Sequence, residues 1–125
     1  RDGEIIGRGT NLVTSTMDPT AHAEMVAIRD ACSKIGHFSL KGATIYTSCE
    51  PCPMCLAAIY WARIERVVYA CSRTDAAEIG FDDDHIYRQL PLAVEERDIP
   101  MVQAKRSEGL IPFQEWSQKI DRTPY

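Results

Sequence analysis

Apolar and polar residues along this chain fall into short blocks, each about the length of one helix or one strand. The longest covers residues 21–35. There Met25, Ile28, Cys32 and Ile35 recur at helical spacing, while Arg29, Asp30 and Lys34 take the other side. Thr20 is placed to cap that helix and Gly36 to end it. A second helix is predicted from Pro53, a residue suited to a first turn, through Leu56, Ile59 and Trp61 to about residue 63. Strands are predicted over residues 4–10, 43–48, 66–71 and 99–104. Val67, Val68, Tyr69 and Ala70 are apolar throughout, which reads as a strand buried on both faces. Short helices are predicted over residues 74–79 and 85–90, around an acidic turn at Asp82-Asp83-Asp84, with a last helix over 112–120. Strands alternating with helices predict an α/β fold, a three-layer α/β/α sandwich with a central mixed sheet and helices on both faces.

Length and composition narrow the picture without changing it. The 125 residues are one domain's worth of chain, and 45% hydrophobic content suits a globular core. No run of about 18 apolar residues predicts a membrane span, and no charged-then-apolar leader opens the chain. A net charge of -4 argues against a nucleic-acid partner, which would favour a basic face. Five cysteines are an odd number, and three crowd between Cys49 and Cys55. That clustering fits metal binding in a reducing cytoplasm better than a disulfide framework. Asp2-Gly3 favours a hairpin turn, yet only the strand after the turn is present. The expectation is that a strand, with a helix ahead of it, precedes Arg1.

The chemistry is concentrated in two fragments, His22-Ala23-Glu24 and Pro51-Cys52-Pro53-Met54-Cys55. His22, Cys52 and Cys55 make a three-ligand zinc set. Three-ligand sites keep a position open for catalysis, whereas four-ligand sites are structural. His-x-Glu followed by Pro-Cys-x-x-Cys marks the zinc nucleobase deaminases. His22 and Glu24 are two apart and converge only at a helix end. Cys52 and Cys55 also fall at a predicted helix start, so two helix N-termini, each carrying roughly half a positive charge, meet at one place. That environment favours thiolate. Zinc supplies hydroxide near neutral pH, and Glu24 is read as the proton shuttle to ring nitrogen and leaving amine. The plainer reading is a structural zinc site or packing cysteines. A lone Cys-x-x-Cys would leave it standing, but a structural site has no need of Glu24 beside an open position. Cys49 also makes a Cys-x-x-Cys with Cys52; it is assigned to the strand end as a buried thiol near the site, with a fourth-ligand role left open. Cys32 and Cys71 read as small core residues.

The stretches Thr20-Ala21-His22-Ala23-Glu24 and Cys49-Glu50-Pro51-Cys52-Pro53-Met54-Cys55 resemble the cytidine-deaminase-like superfamily. Ile59-Tyr60-Trp61-Ala62-Arg63, Thr74-Asp75-Ala76-Ala77, Gly80-Phe81-Asp82-Asp83, Glu95-Glu96-Arg97 and the closing Tyr125 resemble its bacterial guanine deaminases. The resemblance implies a zinc-dependent hydrolysis of guanine to xanthine and ammonia, with a purine base and water as partners. It implies purine contacts from Asn11 and Ala23, and a second catalytic carboxylate in Asp83 beside Glu24. It implies a Trp61 that lines or supports the pocket, and a Tyr125 that closes over it. It also implies a homodimer exchanging C-terminal segments, about residues 109–125. The family's first helix and first strand have no counterpart in this chain.

Each of these residues has an ordinary alternative. Asn11 in a polar loop is commonly a turn former, the aspartates a solvated turn, Trp61 a core residue and Tyr125 a frayed end. Three rival functions share the motifs. A tRNA adenosine deaminase would bind an anticodon loop, which three consecutive aspartates repel, although Arg63, Arg66, Arg73 and Arg88 offer a local basic patch. A deaminase of another small ring (cytosine, guanosine or a triazine) is chemically close. A zinc-stapled interaction module is the non-enzymatic alternative.

Overall fold

The computed structural model describes residues 1–81 and 83–125, which gather into two units, Arg1–Tyr87 and Arg88–Tyr125. Asp82, read from sequence as part of the acidic turn, lies outside the described residues.

The first unit opens on the expected turn. The Glu4 N–H donates to the Arg1 carbonyl at 2.8 Å, with φ of 51° at Asp2 and 79° at Gly3. Two consecutive positive φ values are the hairpin geometry that Asp-Gly favours. The strand expected over residues 4–10 does not form, because this segment finds no ladder partner among the described residues. It is held by its backbone instead. The Arg8 N–H donates to Asp30 at 2.9 Å, and at Gly9 a side chain's Cβ would lie 2.2 Å from the Ala23 carbonyl oxygen.

A short helix α1 (Val13–Thr16) leads to α2 (Ala23–Ile35). Thr20 does not cap α2: its N–H and hydroxyl both donate to Asp18, at 2.8 and 2.7 Å, and His22 takes the cap position. Gly36 ends α2 in the left-handed conformation at φ 65°, as expected. Strand β1 (Thr44–Cys49), helix α3 (Pro53–Trp61) and strand β2 (Arg66–Cys71) follow, with Pro53 in the first turn of α3. β1 and β2 pair in parallel, Thr44 opposite Arg66 and Cys49 opposite Cys71. Helix α4 (Arg73–Glu78) is closed by a reciprocal cap between Ser72 and Asp75. Helix α5 (Asp83–Gln89) crosses from the first unit into the second.

Helices with a parallel sheet give the expected α/β class, but the sheet has two strands among the described residues. β2 is exposed at five of its six positions rather than buried on both faces, and Cys71 is exposed rather than in the core. The core lies instead beneath α2, where Ala31, Leu40, Ala43 and Ala62 are buried with Ile6, Ile28, Cys32, Ile35 and Ile64 against them. Leu40 contributes apolar burial worth about 1.5–3 kcal/mol, and its N–H donates to the Ala62 carbonyl at 2.7 Å.

The second unit holds the end of α5, a 3-10 turn (Val94–Glu96) and helices α6 (Arg106–Gly109) and α7 (Ile111–Gln118). The strand expected over 99–104 is absent; the segment has no ladder, and Val102 is 88% exposed. Polar links organise this unit: Arg97 donates to the Leu90 and Leu92 carbonyls, and the Asp98 N–H donates to Gln89 at 2.9 Å. None of its described residues is buried.

Candidate active site

The two motifs come together at the starts of α2 and α3. His22 is the cap residue of α2 and Cys52 that of α3, each with extended backbone (φ −64°, ψ 156° and φ −63°, ψ 167°). An extended cap residue sets its side chain over the open end of its helix. There His22 Nδ1 meets Cys52 Sγ at 3.6 Å across two elements separated by 30 residues of sequence. Glu24 and Cys55 lie one turn in, and the Cys55 thiol donates to Glu24 Oε2 at 3.6 Å. The helix start is what lets His22 and Glu24, two apart, face one place.

The donor chemistry fits zinc. The ligand atoms of His22, Cys52 and Cys55 lie within 4.8 Å of one another. With Zn–S near 2.3 Å and Zn–N near 2.0 Å, a tetrahedral N–S edge is about 3.5 Å, close to the His22–Cys52 separation of 3.6 Å. Cys52 and Cys55 are buried and His22 is partly so. The Cys52 thiol is pulled down to about 6, chiefly by the hydrogen bond from Cys55. Burial opposes that pull, while the Cys55 and Met54 N–H groups and His22 reinforce it. Cys55 is pushed the other way by the same hydrogen bond, by burial and by the Glu24 carboxylate. Of the pair, Cys52 is the readier thiolate; a dication recruits both. Cys49 stands outside this set, its Sγ 3.9 Å from the Ser72 carbonyl and its thiol raised first by burial.

The other sequence candidates are placed unequally. Asp83 begins α5 and its buried Oδ1 has no hydrogen-bond partner among the described residues. Its charge acts on Cys49, at the end of the strand that runs into the ligand turn. Asn11 accepts the Val13 N–H on its Oδ1 at 3.1 Å, the turn-forming role that such a residue commonly takes. Ala23 is the first residue of α2, between the imidazole and the carboxylate. Trp61 is not brought to the ligands. It closes α3 and is 61% exposed; six residues past Cys55, it stands about 9 Å further along the helix. Tyr125 ends the second unit and is exposed.

Four contacts escaped the sequence reading. The Thr47 hydroxyl donates to Glu24 Oε1 at 3.2 Å. The Tyr87 hydroxyl donates to the Pro51 carbonyl at 2.9 Å, pinning α5 to the residue before Cys52. Arg73 lies over the Tyr87 ring at 4.7 Å, its N–H donating to Glu50 at 3.0 Å. A threonine on a strand carries no functional signal by itself. Tyr87 had one: it is four residues past Asp83, on the same helix face.

A histidine and two cysteines at two helix starts, with a buried carboxylate beside them, define a zinc deaminase site. Residues 1–71 match the family described as the cytidine and deoxycytidylate deaminase zinc-binding region, and the chain belongs to that family. It is 53% identical to the guanine deaminase of Bacillus subtilis over all 125 residues, spanning 80% of that protein. The crystal structure of that enzyme superposes on the whole chain with a TM-score of 0.96, so the fold is of the cytidine-deaminase-like type. The tRNA-specific adenosine deaminase of Bacillus subtilis is 47% identical over 68 residues, 54% of this chain and 42% of that protein. A guanine deaminase from Nitrosomonas europaea matches with a TM-score of 0.58 at 35% identity, over 60% of this chain and 44% of its own.

Proposed function

We propose that the chain is a zinc-dependent guanine deaminase, converting guanine and water to xanthine and ammonia. The carrying observation is extent. Likeness to a guanine deaminase runs through all 125 residues, whereas likeness to a tRNA-specific adenosine deaminase covers 68. The net charge of -4 also suits a neutral base better than an RNA.

His22, Cys52 and Cys55 would hold the metal, which when bound supplies Lewis acidity and an ionisable water near neutral pH. Glu24 accepts a proton from the attacking water and passes it to the ring nitrogen; it then takes the second proton from the hydroxyl on the reacting carbon and passes it to the amine as the C–N bond breaks. Asp83 is the second carboxylate at the leaving amine, a role supported by its buried, unpartnered Oδ1. Asn11 contacts the purine; with its Oδ1 engaged by Val13, its NH2 remains to donate to a ring acceptor. Ala23 offers the N–H of the first turn of α2. Trp61, at the far end of α3, supports the pocket wall rather than touching the reacting carbon.

The enzyme works as a homodimer in which residues 109–125 are exchanged and Tyr125 closes over a purine. The exposed Ile111, Phe113 and Trp116 on α7 support this, since an amphipathic helix needs a surface to cover its apolar side. Five free cysteines fit a reducing cytoplasm, and none of the described helices is long and apolar enough to cross a membrane.

The test is ammonia release by zinc-loaded protein from guanine, adenine, cytosine, guanosine and a tRNA anticodon stem-loop. Guanine is the expected substrate, and release from the RNA alone would sink the proposal. Glu24→Gln should keep its zinc and lose about 10²–10⁴-fold in turnover.

A further inference from the structure

We infer that Thr47 is a positioning residue for Glu24, fixing which carboxylate oxygen carries the proton. The inference rests on Glu24 acting as proposed above. Glu24 is 9% exposed, and a buried carboxylate must be hydrogen-bonded to be tolerated. Its two oxygens have separate partners: Oε1 accepts from the Thr47 hydroxyl at 3.2 Å, and Oε2 faces the Cys55 thiol at 3.6 Å. Cys55 belongs to the metal-binding set and is recruited there as thiolate, which removes its donor. Among the described residues, Thr47 is then the hydrogen-bond donor that remains on the carboxylate.

The placement of Thr47 gives this bond its consequence. Glu24 travels with α2 and His22, whereas Cys52 and Cys55 travel with β1 and α3. Thr47 lies on β1, five residues before Cys52, in a strand locked by its ladder to β2. Its hydroxyl therefore ties the carboxylate to the frame that carries the two thiols, not only to its own helix. With Oε1 occupied, the carboxylate is held against rotation, and Oε2 is the oxygen left toward the ligands. A shuttle that takes a proton and returns it to a nearby atom gains from using one oxygen in one orientation. Thr47 also faces an open cleft of about 1150 Å³ between residues 1–10, α2 and β1, which Glu24 and Ala23 line as well.

Thr47→Val removes the hydroxyl and keeps the branched shape. It should lower kcat on guanine roughly tenfold, leave KM unchanged and leave zinc content at the wild-type value. Thr47→Ser should return kcat to within about threefold, since it restores the donor. In a Glu24→Gln background, Thr47→Val should cause no further loss, and a crystal structure of the single variant should show the Glu24 side chain turned. Wild-type kcat in Thr47→Val would overturn the inference. So would an equal further loss in the Glu24→Gln background, or a serine variant as slow as the valine one. If Glu24→Gln itself keeps full turnover, the proton-carrier reading fails first, and the two failures are told apart.

Discussion

The units Arg1–Tyr87 and Arg88–Tyr125 are built on different terms. In the first, Leu40 is 2% exposed and Cys55 fully buried, so the metal-binding set grows out of a packed interior. In the second, none of the described residues is buried, and α7 leaves Phe113 70% exposed. The first unit carries its organisation within itself: helix caps, a parallel ladder and an apolar cluster agree with one another. The second has helices joined by polar links and apolar side chains still awaiting a surface. The difference teaches where each function can reside. Proton and metal chemistry need positions held to fractions of an ångström. Closing over a substrate tolerates looser attachment.

That contrast can be broken at several points. The largest effect is expected from Cys55→Ala, which should abolish zinc binding and turnover; metal analysis after gel filtration decides it. Full zinc content would mean that another residue completes the set. Next is Leu40→Ala, expected to cost about 2–5 kcal/mol of stability through the cavity it leaves, read from urea unfolding. Removal of Tyr125 should raise KM for guanine about tenfold, equivalent to roughly 1.4 kcal/mol, with zinc content unchanged. An unaltered KM would return that residue to a frayed end. The smallest effect on folding is expected from Phe113→Ala, about 0.5 kcal/mol or less, as for exposed positions generally. The same variant should weaken the dimer in analytical ultracentrifugation. If Phe113→Ala instead costs as much as Leu40→Ala, the second unit has a core of its own and the comparison fails.

How much was legible depended on how local each rule was. Pro53 at a helix start, Gly36 at a helix end and the Asp2-Gly3 turn follow from the backbone preferences of those residues, and all stand in the structure. So does the meeting of His22, Cys52 and Cys55, because both fragments signal helix starts. Thr20 was misread as a cap because α2 begins at Ala23, two residues later than expected, which puts His22 at the cap; the Thr20 hydroxyl instead donates to Asp18 and accepts from Arg29. The strand over 4–10 was read as the second arm of a hairpin after the Asp2-Gly3 turn, with its partner expected ahead of Arg1, and the strand over 99–104 from apolar pattern alone. Pattern marks a segment able to pair, while pairing needs a neighbour.

By itself, then, the sequence determined the reaction class, the His22, Cys52 and Cys55 group that could hold a metal, and the α/β alternation. Those depend on residue type and short spacing. Tertiary structure alone decided that Thr47 reaches Glu24, that Tyr87 pins α5 to the ligand turn, and that Cys49 and Trp61 stand apart from the metal-binding set. Each of these is a matter of distance between elements far apart in the chain. Such distances follow from how α2, β1, α3 and α5 pack, and no window of residues read in order contains them.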